Sequence, residues 1–141
     1  METLYTKLSA MATEHDASGE WPSASLTALG EAEVYRWFVP RTHGGLGWDD
    51  GQIVRGYVRL AQACLTTAFI LTQRSAACRR LVSSTNSSLR NQLLPKFARG
   101  DIFATVGVSH LSTSGRHTGQ PALRAQVTDK GYRLEGSSWW V

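Results

Sequence analysis

The sequence has no apolar stretch long enough to cross a bilayer. Its longest nearly apolar run, Leu60 to Leu71, is interrupted by Gln62, Thr66 and Thr67 and falls well short of the ~20 residues a span requires. It has no basic segment followed by an apolar core at its start, where Glu2 stands, so no secretory signal is read there and the cytoplasm is the expected compartment. Cysteine is scarce: Cys64 and Cys78 are the only two. On one helix their spacing puts them about 21 Å apart along the axis, too far for a disulfide, and without a second pair they make no zinc site. His-Glu-x-x-His is absent, and His110 and His117 stand in a polar stretch without cysteine, so no metal site is expected. Glycine, proline and cysteine contents exclude collagen-like, disordered and disulfide-rich classes.

What is present suits a globular chain of 141 residues, 42% apolar and 18% charged, large enough to hold a core without covalent staples. The net charge of +4 is unevenly spread. Residues 1–50 carry eight acids and three bases, and the remainder twelve bases and three acids. A basic second part suits nucleic acid, a phosphorylated cofactor or an acidic protein surface alike.

The first hundred residues read as helical. Leu4, Leu8 and Met11 mark one face of a first helix. Pro22-Ser23 opens a second, with Leu26, Leu29 and Val34 facing inward despite Gly30. After Pro40, the glycines at 44, 45 and 47 require a loop. Asp49, with Gln52 completing a capping box, starts a long helix whose apolar positions run Ile53/Val54, Tyr57/Val58, Ala61, Cys64/Leu65 and Ala68/Phe69. Its middle is apolar on more than one face, which predicts other helices around it. Arg55, Arg59, Arg74, Arg79 and Arg80 are assigned to its solvated face. The polar run Ser83 to Ser88 ends the pattern, and a last helix carries Leu89, Leu93, Leu94 and Phe97, with a kink or break expected at Pro95.

Beyond Gly100 the texture changes to that of strands. Ile102 to Val108 is β-branched and small, while Leu123-Ala125-Val127 and Tyr132-Leu134 alternate around a turn at Asp129-Lys130-Gly131. The fold class is α+β: an all-α N-terminal helical bundle over residues 1–100, followed over 101–141 by the first strands of a β-barrel-like middle domain. The two tryptophans at Trp139-Trp140, just before Val141, read as the middle of a strand, so the chain is expected to be a fragment prone to association through that edge.

No local spacing defines a catalytic site. His43-Gly44-Gly45-Leu46-Gly47 follows a helix rather than a strand and lacks the Lys-Ser/Thr of a phosphate loop. Ser109 and His110, as strand neighbours, point to opposite faces and cannot act as nucleophile and base. The arginines lack the clustered lysines and exposed aromatics of a nucleic-acid stripe.

Several strings nevertheless resemble the acyl-CoA dehydrogenase family. Val39-Pro40-Arg41-Thr42-His43-Gly44-Gly45-Leu46-Gly47 is similar to its Val-Pro-x-x-x-Gly-Gly-Leu-Gly loop. Leu94-Pro95-x-x-Ala98-x-Gly100-Asp101 resembles its Leu-Pro-x-Leu-Ala-x-Gly-Glu, and Gly131-Tyr132-x-Leu134-x-Gly136-x-x-x-Trp140-Val141 its Gly-Tyr-x-Leu-x-Gly-x-Lys-x-Trp-Ile-Thr. The resemblance implies an FAD-dependent enzyme that desaturates an acyl-CoA thioester: a carboxylate takes the α proton and flavin N5 the β hydride. It also implies an electron-transfer flavoprotein or similar acceptor, and a homo-oligomer when full length. Flavin contacts map to Val106, Val108, Ser109, Ser114, Trp140 and Val141, and substrate contacts to Ser114 and Gly115.

Departures from the family pattern are local. His110-Leu111 replaces Glu-Pro, Ser114-Gly115 stands where Gly-Ser is expected, and Ser138 replaces Lys. The family's catalytic base and C-terminal helical domain map beyond Val141, so no catalytic residue is assigned and the chain alone is expected to be inactive. Two alternatives stand beside this reading: a flavin-dependent monooxygenase of the same fold, and a non-enzymatic or nucleic-acid-associated relative.

Overall fold

The computed structural model describes residues 1–107, 119 and 121–137. Two compact units are present, Met1–Ala104 and Thr105–Val141. The fold is α+β, with, among the described residues, five α-helices in the first unit and a pair of antiparallel strands in the second.

Helix α1, Glu2–Ser18, buries Leu4 and Leu8 and ends at Gly19, whose φ of 64° lies in the left-handed region that glycine adopts without cost. Helix α2, Ser23–Glu31, starts after Pro22 and buries Leu26, Ala28 and Leu29. A hydrogen bond of 2.7 Å between His15 Nε2 and the buried Ser25 hydroxyl ties the two helices. Val34 is buried as expected, but in a 3-10 turn, Val34–Phe38, that follows α2. This turn supplies Tyr35, Trp37 and Phe38 to the core.

Helix α3, Asp50–Ala63, opens with the expected capping box, in which the Asp49 carboxylate accepts from Gln52 N and Gln52 Oε1 accepts from Asp49 N. The long helix is not continuous. Cys64 adopts an extended conformation, φ −157° and ψ 107°, and α4 starts afresh as Leu65–Val82. The break rotates the apolar pattern. Ile53, Leu60, Ala63, Ala68 and Leu71 are buried, whereas Val54, Val58, Leu65 and Phe69 are exposed, so the middle of this region is not enclosed on all sides. Both cysteines are free and buried.

Helix α5, Ser87–Arg99, is capped by Asn86 and continues through Pro95, so of the kink or break expected there the break is not formed. Leu94, Phe97 and Ala98 on either side of the proline are buried, and this packing outweighs the hydrogen bond that proline removes.

In the second unit, β1 (Leu123–Thr128) pairs antiparallel with β2 (Gly131–Gly136) around the two-residue turn Asp129-Lys130, the shortest hairpin loop. The register sets Ala125 opposite Leu134 and Val127 opposite Tyr132, which puts the apolar side chains on one face. Residues 102–107 carry no regular structure and Val108 lies outside the described residues. The strand expected over Ile102 to Val108 is therefore not formed at 102–107, where no ladder partner is present among the described residues.

Candidate functional site

The glycine-rich loop is shaped by its own hydrogen bonds. His43 N and Gly45 N donate to Pro40 O, Gly44 N to Arg41 O, Leu46 N to Arg36 O, Gly47 N to Val39 O and Trp48 N to Trp37 O. Arg36 Nε adds a bond of 2.9 Å to Gly44 O. A Cβ on Gly45 would run into the Val39 backbone, so that position tolerates no side chain. Every amide from His43 to Trp48 is occupied, which leaves none to cradle a phosphate. The loop is a structural turn that sets the start of α3.

Alongside that start, α3 and α4 lie antiparallel and enclose a groove of about 460 Å³ lined by Phe38, Asp50, Ile53, Val54, Tyr57, Thr72, Ser75, Ala76 and Arg79. At one end the Asp50 carboxylate pairs with the Arg79 guanidinium. Along the floor, the Tyr57 ring lies 5.8 Å from that of Phe38. The Ser75 hydroxyl donates to Thr72 O at 2.9 Å, so its contact of 2.7 Å with Tyr57 must be one in which the tyrosine donates. Burial raises the Tyr57 hydroxyl above its ordinary value, against the Ser75 hydrogen bond and the nearby arginines, which lower it. Tyr57 is therefore a neutral donor, not a base.

Four of the exposed large apolar residues of the helical unit lie on α3 and α4, and Val54 among them lines this groove. Leu65 is 70% exposed, Phe69 64%, Val54 59% and Val58 52%. Four large apolar side chains on adjoining turns of α3 and α4 exceed what scattered surface residues account for. Chemically the flank suits an apolar chain. Its one carboxylate, Asp50, is paired with Arg79, so the groove offers no free base.

The arginines do not all lie on a solvated face. Arg74 is fully buried, its Cζ 4.0 Å from the Tyr35 ring centroid and 5.0 Å from that of Phe97. One terminal nitrogen donates to Phe97 O, while Nε and Nη1 have no partner among the described residues. Desolvation lowers its pKa, countered by the facing Tyr35, Cys78 and Tyr57. The 3.6-residue period alone could have flagged it, since Arg74 falls one turn from both Leu71 and Cys78 on the buried side of α4.

Of the residues assigned to flavin and substrate from sequence, Val106 is half-buried in irregular chain of the second unit. Val108, Ser109, Ser114, Gly115, Trp140 and Val141 lie outside the described residues, as do His110 and His117. Among the described residues no group of three or more His, Cys, Asp or Glu could hold a metal ion, and no helix is long and apolar enough to cross a membrane.

The helical unit coincides with a known domain. Residues 2–101 match the family model for the acyl-CoA dehydrogenase N-terminal domain, and the chain belongs to the acyl-CoA dehydrogenase family. A comparison with curated proteins finds no match.

Proposed function

We propose that this chain is part of an FAD-dependent acyl-CoA dehydrogenase-like oxidoreductase, and that its helical unit supplies an apolar wall for the acyl group. The observation that carries the reading is the set of exposed apolar residues on α3 and α4, in which Leu65 and Phe69 share by helical period the side of α4 that bears Thr72 and Ala76 of the groove floored by Phe38 and Tyr57, in a unit belonging to this family. Burying an aliphatic chain against these side chains contributes about 0.8 kcal/mol per methylene. The thioester and nucleotide ends need donors that the flank lacks apart from Arg79.

The flavin supplies the two-electron acceptor chemistry. The family resemblance assigns the cofactor contacts to Val106, Val108, Ser109, Ser114, Trp140 and Val141, with Ser114 and Gly115 toward substrate, and the saturated loop at His43–Trp48, which offers no free amide for a phosphate, is compatible with that assignment. A hydroxyl at Ser109 can donate to a flavin carbonyl or ring nitrogen. Domain limits of 1–100 and 101–141, a cytoplasmic location, a homo-oligomer and an electron-transfer flavoprotein-like acceptor belong to the same reading.

The test supplies FAD and a saturated acyl-CoA, without oxygen, to the protein carrying whatever its coding sequence adds after Val141. Bleaching of the visible flavin band that depends on the acyl group supports the reading. A flavin-loaded protein whose band is unchanged by acyl-CoA, yet reacts with oxygen after chemical reduction, would transfer the chain to the monooxygenase alternative.

A further inference from the structure

A second groove lies on the other flank of α3. Positions 52, 55, 56 and 59 face it, whereas 50, 53, 54 and 57 face the groove beside α4, and at 3.6 residues per turn the two sets point to nearly opposite sides of the helix. This groove of about 460 Å³ is lined by Glu2, Tyr5, Trp48, Gln52, Arg55 and Arg59 among others. Its size falls in the range of about 300–1,000 Å³ usual for small-molecule sites.

Its chemistry is specific. Trp48 stacks on the buried Trp37 with ring centroids 4.3 Å apart and planes at 18°, so one indole face is backed by the core and the other side borders the groove. Gly56 lets the Trp37 ring pack directly against the α3 backbone, because a Cβ there would collide with it. Gln52 spends its carbonyl oxygen on the capping box, which leaves its amide as a donor. Arg55 makes no ion pair among the described residues. Arg59 lies over Tyr5, 4.8 Å from the ring centroid, and pairs with Glu2 at 3.0 Å. Donors therefore outnumber the single carboxylate, and they sit beside a backed aromatic face.

We propose that this groove binds a nucleoside monophosphate, with its base against Trp48 and its phosphate between Arg55 and Arg59. Arg55 and Arg59 stand one turn apart on α3 and both line the groove, guanidinium forks match phosphate oxygens, and aromatic stacking accepts any base. Glu2, 82% exposed on its side chain, occupies the Arg59 fork when the groove is empty and yields it to the phosphate. The proposal does not rest on the acyl-binding reading, since it uses the other flank of α3.

Titration of the chain with adenosine 5′-monophosphate, followed by tryptophan emission and by calorimetry, tests it. A saturable quench is expected, with binding at least about tenfold tighter than for adenosine or inorganic phosphate. Arg55→Gln should weaken binding about tenfold with unchanged circular dichroism, because the side chain is exposed. Glu2→Gln should tighten it by freeing Arg59, and Trp48→Phe, which keeps a ring on Trp37, should abolish the quench. Absence of saturation at millimolar nucleotide, equal affinity in Arg55→Gln, or a quench that survives in Trp48→Phe overturns the proposal. None of these results changes the acyl-CoA experiment above.

Discussion

The Arg74 guanidinium stacks 4.0 Å from the Tyr35 ring centroid, and the Tyr35 hydroxyl in turn donates to Leu26 O at 2.7 Å. A buried charge without a carboxylate thus links α4 to the 3-10 turn and, through it, to α2. Its partner carbonyl, Phe97 O, also accepts from Gly100 N at 3.2 Å, so removing the arginine does not orphan it. Arg74→Met is expected to leave stability unchanged or raise it by about 1–3 kcal/mol, because desolvating a charge offsets most of what its contacts return. Arg74→Ala should lower stability by about 2–5 kcal/mol by leaving a cavity. Urea unfolding midpoints of the two variants check this, and equal losses in both would mean that the charge itself is required.

Alkaline pH should weaken the fold. Burial pushes the Cys78 thiol from 9.0 up to about 11, against a small lowering by Arg74, and burial also raises the Tyr35 and Tyr57 hydroxyls. An acid whose folded pKa is raised keeps its full contribution below the unfolded value and loses it as pH rises toward the folded one. Stability is therefore expected to hold up to about pH 9 and to fall by on the order of 2 kcal/mol by pH 11 from Cys78 alone. Denaturant midpoints across that window measure it. A thiol reagent at neutral pH should label neither cysteine until the protein unfolds.

The apolar flank separates binding from stability. Leu65 and Phe69 are 70% and 64% exposed, so Leu65→Asp and Phe69→Asp should change unfolding free energy by no more than about 0.5 kcal/mol. Each should weaken acyl-CoA affinity at least about tenfold while leaving that for unacylated CoA unchanged. Calorimetric titration with both ligands decides it.

Gly56 offers the opposite case. A methyl group there would collide with the Trp37 ring, and overpacking of this kind costs about 1–3 kcal/mol. Gly56→Ala should lower the thermal midpoint although helix propensity favours alanine. A raised midpoint would show that the indole shifts freely.

Much of this architecture was legible. The Asp49–Gln52 capping box, the start after Pro22 and the turn at Asp129-Lys130-Gly131 each follow from local chemistry that tertiary contacts leave alone. The break at Cys64 was not legible, because neither Cys64 nor its neighbours Ala63 and Leu65 is proline or glycine. Apolar spacing implies continuity over five turns, and that spacing mixes residues facing the core with residues facing outward. Arg74 departs from the expected solvated face for a related reason: charge alone points to solvent, whereas Tyr35 and Phe97, distant in sequence, supply the aromatic faces that hold it. The groove between α3 and α4 has no local sequence signature because it draws on three separate segments, and most residues that the resemblance assigns to the flavin lie outside the described residues.

The break at Cys64 also has an electrical side. An unbroken helix has one positive end; two helices have two, and the second lies inside the sequence at Leu65. There Thr66 Oγ1 donates at 2.8 Å to the carboxylate of Asp16, near the end of α1. One extended residue thus turns the middle of a long apolar stretch into an attachment point for negative charge, and the bundle anchors its first helix on it.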